Sequence, residues 1–303
     1  MKQRTQQVAT DTVVLGADYA EERALIAGFV AELGESLEHK RLELPSLPEV
    51  ALKIRKTLAQ EDVSVSEVTR LLGADPALAA RILRTANSAL FYRGSKPITD
   101  LHNAVQQLGY RMVRNVSLSY AAQQVFIGYG STPVREYMSA IWEHSVRTAV
   151  LAHMLARVRT KLNSDEAFLA GLLHEVGKLY ILMRVKSKPE VLAAGAAFES
   201  VLAEWHSRLG RAVIEEWELP GDLAAAVGEH ETCALAVEGE QTLTPVVAVA
   251  NWLAENTETA CNDSEFHSKI PSFGTLAVDK PTFDWLIRAA DVDVRLLMLA
   301  FGL

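Results

Sequence analysis

The sequence predicts an all-α fold built as two helical lobes. Almost every stretch with a hydrophobic period repeats every 3.6 residues, and runs of alternating β-branched residues between turn signals are nearly absent. Helix starts and stops recur along the chain as capping residues, prolines and glycines. The 303 residues, 49% hydrophobic and 22% charged, have an ordinary globular composition with room for one large core or two smaller ones.

Residues 20–40 read as an amphipathic helix through Leu25, Phe29, Leu33 and Leu37. The run Leu44-Pro45-Ser46-Leu47-Pro48 ends it, because a proline disfavours helix in the residue before it. Residues 1–42 are thus an N-terminal helical extension, and a first lobe spans 43–130. Its helices run from Pro48 to about Leu58, from the Ser64-x-x-Glu67 capping box to Gly73, and from Asp75-Pro76 onward, where an Asp cap precedes a first-turn proline. Asp100 begins a helix to Leu108, and Tyr110 to about Phe126 forms the next. The turn residues of Gly128–Pro133 join this lobe to a second, spanning 131–256. There, helices are expected at Val134–Val158, from the Asn163-x-x-Glu166 cap into His174-Glu175, and at Pro189–Trp217, Asp222–His230 and Thr244–Asn256. The remainder, 257–303, is a polar loop containing Pro271 and Gly274, then a closing helix, Thr282–Phe301. That helix, rich in Trp285, Leu296, Leu297 and Phe301, either docks on the body or joins subunits, so the chain is a monomer or homodimer.

The formal charge of -8 argues against binding nucleic acid or an anionic membrane through the field of the whole molecule. Residues 53–115 are the local exception, with ten Lys or Arg against five acids. Cys233 and Cys261 have neither CxxC spacing nor enough company for a disulfide scaffold, which fits a reducing compartment. No apolar run approaches the ~18 residues of a membrane span, and the expectation is a cytoplasmic, non-membrane protein.

Chemistry concentrates in DEAFLAGLLHEVGK, from Asp165 to Lys178, where an apolar helix runs into a histidine, a carboxylate, a glycine and a lysine. A buried His-acid pair needs a counter-charge or several donors. The candidates are a metal, Lys178, or a hydrogen-bond network. His102 and His153 read as ordinary helix residues.

Two sets of motifs resemble one family. DPALAARILRTANSALFY, followed from Ile98 by ITDLHNAVQQLGYRMVRNVSLSYA, is similar to the first lobe of the bacterial HDOD family. WEHSVRTAVLAHMLA, EAFLAGLLHEVGKL and WELPGDLAAAVGEHE are similar to its second lobe, a relative of the HD phosphohydrolases. The resemblance covers roughly residues 43–255 and implies a two-lobed helical signalling module that acts through protein partners. It also implies candidate metal positions at His144, His174, Glu175 and Asn251, with His206 and His230 where the cyclic di-GMP-hydrolysing branch carries extra histidines. Glu175 replaces the signature Asp, Asn251 replaces the final Asp, Glu231 stands where that branch has another histidine, and the Gly-Tyr-Pro signature is absent. An amide carries no charge, so the set is a degenerate one in which a divalent ion (Fe, Mn, Mg or Zn) is weakly held or absent. No organic cofactor is expected.

Lys178 either steadies a substrate phosphate, if the pocket is active, or pairs with Glu175 in place of a metal. In the first lobe, Arg81, Arg84, Asn87, Phe91, Tyr92 and Arg93 offer either a turn packed on the other lobe or a recognition surface. The expected function is regulatory, with a catalytically degenerate pocket. The alternative is an active metal-dependent phosphohydrolase on a nucleotide or cyclic dinucleotide, and nucleic-acid binding through the first lobe ranks third.

Overall fold

The computed structural model describes residues 21–39, 42–44, 47–60, 62–92, 94–127, 132–231, 242–256 and 276–301. Within them the fold is helical, with no strand. Helix α1 covers 21–38; α2 (Glu49–Thr57), α3 (Val65–Gly73), α4 (Pro76–Ala86) and α5 (Leu101–Ile127) form the first lobe. Next come α6 (Thr132–Arg159), α7 (Ser164–Leu173), α8 (Val176–Val185), α9 (Pro189–Ala193), α10 (Ala196–Glu216), α11 (Gly221–Glu229) and α12 (Leu243–Glu255). Helix α13 (Lys280–Phe301) closes the described chain.

The caps read from sequence are formed. Ser64 accepts from the Glu67 amide, Asp75 from Ala77 and Leu78, and Asn163 from Asp165 and Glu166. Each cap of this kind stabilises its helix by about 1 kcal/mol. Gly109, at φ 74 and ψ 160, separates the two segments of α5 where the sequence places a boundary. The single helix expected over Pro189–Trp217 is corrected to two, α9 and α10, because Gly195 turns the chain at φ 52.

Arg55 of α2 donates to the Trp217 carbonyl at 2.6 Å, which joins the first lobe to the end of α10. Asn115 of α5 donates to the Asp165 carbonyl at 2.6 Å and holds it to the start of α7. Helix α1 buries Phe29 and Leu33, and its Glu32 pairs with Lys188, so the N-terminal extension lies on the second lobe. Helix α13 docks on α4 and α6 through Phe283, Leu286, Val294 and Leu297, while Trp285, Val292, Leu296 and Leu299 stay exposed. No helix among the described residues is long and apolar enough to cross a membrane. Gly128–Ser131, Cys233, Cys261 and most of the 257–280 loop lie outside the described residues.

Candidate functional site

Six helices bring the candidate residues of the second lobe together. His144 sits midway along α6; His174 caps the end of α7; Glu175, at φ -95 and ψ 11, breaks the chain before α8 begins. Lys178 is in the first turn of α8, His206 on α10, His230 at the end of α11 and Asn251 on α12. Two glycines allow this convergence. A Cβ on Gly177 would lie 1.9 Å from the His206 carbonyl oxygen and 2.6 Å from the Gly210 amide, so α8 and α10 touch backbone to backbone. A Cβ on Gly171 would lie 2.8 Å from the Ala149 Cα, so α7 also sits close against the backbone of α6.

The four imidazoles form a chain of contacts, His144–His174–His230–His206, with centroids 5.1, 5.0 and 5.3 Å apart. Three have the same orientation: Nδ1 of His174 donates to the Gly171 carbonyl at 2.7 Å, His230 to Val227 at 2.8 Å, and His206 to Leu202 at 2.9 Å. A ring whose Nδ1 carries the proton presents Nε2 as a lone pair. These lone pairs point into the pocket. His174 Nε2 lies 3.2 Å from His144 Nε2 and 3.1 Å from Asn251 Oδ1, and His206 Nε2 lies 3.4 Å from His230 Nε2.

Glu175 is the pivot. Its Oε1 accepts from Lys178 Nζ at 2.5 Å, whereas Oε2 is buried with no hydrogen-bond donor, 3.8 Å from His206 Nε2. Burial would raise its pKa, but the facing His174, Lys178 and His206 hold the carboxyl down at about 2. Burial keeps His174 and His230 below the usual imidazole value. Burial works against His206 too, yet the Glu231 and Glu175 carboxylates raise it. Donor atoms of His144, His174 and Glu175, and of Glu175, His206 and His230, lie within 4.8 Å of one another in each group. An orphaned buried carboxylate oxygen facing imidazole lone pairs is a donor set that a divalent transition ion fits.

The first-lobe candidates do not form one exposed surface. Arg81 is 5% exposed, stacks over Tyr120 at 5.0 Å and donates to Gln123, so its cation serves the lobe's interior. Asn87 holds a turn, donating to the Leu83 and Ile98 carbonyls and accepting from the Ile98 amide. Phe91 packs edge-on against His153 and Phe168 of the second lobe. Tyr92 is half-buried, Arg84 is exposed, and Arg93 lies outside the described residues. Sequence reasoning missed the packing roles of Gly171, Gly177 and Gly210 and the reach of Glu231, whose Oε1 lies 3.3 Å from His206 Nε2. The adjacency of Glu231 to His230 was the available signal.

Fold and pocket define a class: an all-helical body whose second lobe gathers four histidines around the buried Glu175 carboxylate. The HDOD domain profile matches residues 44–233, and the chain belongs to the HDOD family. A Treponema pallidum (strain Nichols) protein described as uncharacterized is 26% identical over 237 residues. The match takes in 73% of this chain but only 44% of that longer relative. A crystal structure of a candidate metal-dependent phosphohydrolase from Shewanella amazonensis SB2B superposes with a TM-score of 0.77 at 24% identity, over 93% of this chain and 99% of that one. A candidate signal-transduction protein from Marinobacter aquaeolei VT8 gives 0.59 at 19% identity, over 94% of this chain and 67% of the other. At these identities the two structures establish the shared fold.

Proposed function

We propose that the chain is a regulatory signal-transduction module in which the HD-type pocket is a charge-compensated remnant of a hydrolytic centre and the output passes to protein partners. The Lys178–Glu175 pair carries this reading. A hydrolytic centre needs its carboxylate on an ion and an open position beside it. Here a lysine ammonium takes one oxygen of the only carboxylate at the His-acid break, and Asn251 offers no charge at the other end of the set. The description of the Marinobacter relative as a signal-transduction protein accords with this reading. A cytoplasmic setting accords with two cysteines in 303 residues.

One observation favours the rival reading of a metal-dependent phosphohydrolase, namely the unpartnered Glu175 Oε2 among imidazole lone pairs. His144, His174, Glu175, His206 and His230 would hold the ion, which supplies Lewis acidity when bound. Lys178 would then be free to hold a substrate phosphate. Hydrolysis of cyclic di-GMP and of a chromogenic phosphodiester with added manganese or iron separates the two. We expect no turnover above that of His174→Ala; robust turnover lost in that variant would overturn the regulatory reading.

A further inference from the structure

We propose that the chain binds a single divalent transition-metal ion through Glu175 Oε2, His206, His230 and Glu231, in the half of the pocket away from His144. The inference borrows from the regulatory reading only that Lys178 keeps Glu175 Oε1.

The two halves differ in what already satisfies them. Around His144 one proton closes the hydrogen bonding: His144 Nε2 donates to Asn251 Oδ1 at 2.7 Å and lies 3.2 Å from the lone pair of His174. Around His206 donors are scarce. Both Nδ1 protons there are spent on backbone carbonyls, and the two Nε2 atoms face each other at 3.4 Å. Glu175 Oε2 and Glu231 Oε1 approach His206 Nε2 at 3.8 and 3.3 Å, and only the Ser207 hydroxyl, at 3.2 Å, can donate to it.

Charge separates the halves further. Glu175 and Glu231 bring two carboxylates toward a divalent ion, one of them shared with the Lys178 ammonium, whereas the His144 half ends in a neutral amide and has only the carboxylate oxygen that Lys178 holds. Two donors bound to one ion at about 2.1 Å lie roughly 3–3.5 Å apart, a spacing that His230 and Glu175 approach from His206. The half-exposed Glu231 side chain, 3.3 Å from His206 but outside the group of Glu175, His206 and His230 donors that lie within 4.8 Å of one another, has to swing in. Two imidazoles with two carboxylates suit zinc, iron, cobalt or manganese better than calcium. Glu231 is half exposed, which leaves an entry path at the end of α11. A second proton on His206 would also satisfy the cluster, and the test discriminates between proton and metal.

The full chain, stripped with chelator, is titrated with cobalt while its visible absorption is followed, and metal content is counted after dialysis. One equivalent is expected. His206→Ala and the half-exposed Glu231→Gln should weaken binding at least about ten-fold, and His144→Ala less than about three-fold, each with an unchanged helical circular-dichroism spectrum. Two equivalents, no binding up to millimolar cobalt, or a His144→Ala loss equal to that of His206→Ala would overturn the site. Absence of metal leaves the regulatory reading intact, while turnover by the one-ion protein would overturn that reading and keep the site.

Discussion

His153 lies buried between Phe91 and Phe168, its ring 5.4 and 6.4 Å from theirs, where the turn after α4 meets the second lobe. Its Nδ1 donates to the Ser164 carbonyl at 3.0 Å, and its Nε2 is buried with no hydrogen-bond partner. Burial drives its pKa down to about 4. Between pH 6.5 and 4 the unfolded chain therefore takes up a proton that the folded chain refuses, and stability falls as pH falls. The unfolding free energy of the wild type should lose about 3 kcal/mol more than that of His153→Phe across this window, as followed by denaturant titration. The sequence reading of His153 as a helix residue gave no hint of this. Its ring lies 62 positions along the chain from Phe91, and such distant pairings are not encoded in local pattern. The sequence left Arg81 between a packed and a surface role for the same reason: Tyr120 and Gln123, which it meets, come from another helix.

Helix crossings, rather than individual ligands, fix the pocket. The glycine of the HEVGK motif is there because α8 meets α10 with no room for a side chain. Gly177→Ala should cost about 3 kcal/mol or more in chemical denaturation, since a backbone neighbour must move and not merely a side chain. It would also displace His206, the residue whose carbonyl the new methyl group strikes. Gly109, at φ 74 and ψ 160, occupies backbone space that essentially only glycine visits. Gly109→Ala should destabilise by about 1–3 kcal/mol in the same measurement. The helices that begin at Asp75-Pro76 and Asn163-x-x-Glu166 were legible because their caps are local signals, whereas α8 (Val176–Val185), which starts without a side-chain cap, was not read. The break at Gly195 was not, since Ala193-Ala194-Gly195-Ala196-Ala197 keeps high helix propensity around one turning residue.

At the level of the whole molecule, the second lobe holds the pocket while α1, α2 and α5 attach around it through Glu32–Lys188, Arg55–Trp217 and Asn115–Asp165 contacts. The family resemblance implied the candidate set His144, His174, Glu175, His206, His230 and Asn251, and the structure gathers all six. What the resemblance could not tell was how their charge is balanced, because that depends on which oxygen Lys178 takes. On the proposed reading this lysine stands where a hydrolase relies on an ion. Removing it should leave a buried carboxylate without its cation, and the penalty is moderated because the Lys178 side chain is 24% exposed. The most direct measurement is a double-mutant cycle on global unfolding in the presence of chelator, using Lys178→Met, Glu175→Gln and both together. The predicted result is a loss of about 2 kcal/mol for Lys178→Met, most of it recovered in the double variant and, separately, by adding a divalent ion to the single variant. Additive losses, or a Lys178→Met protein as stable as the wild type, would contradict it.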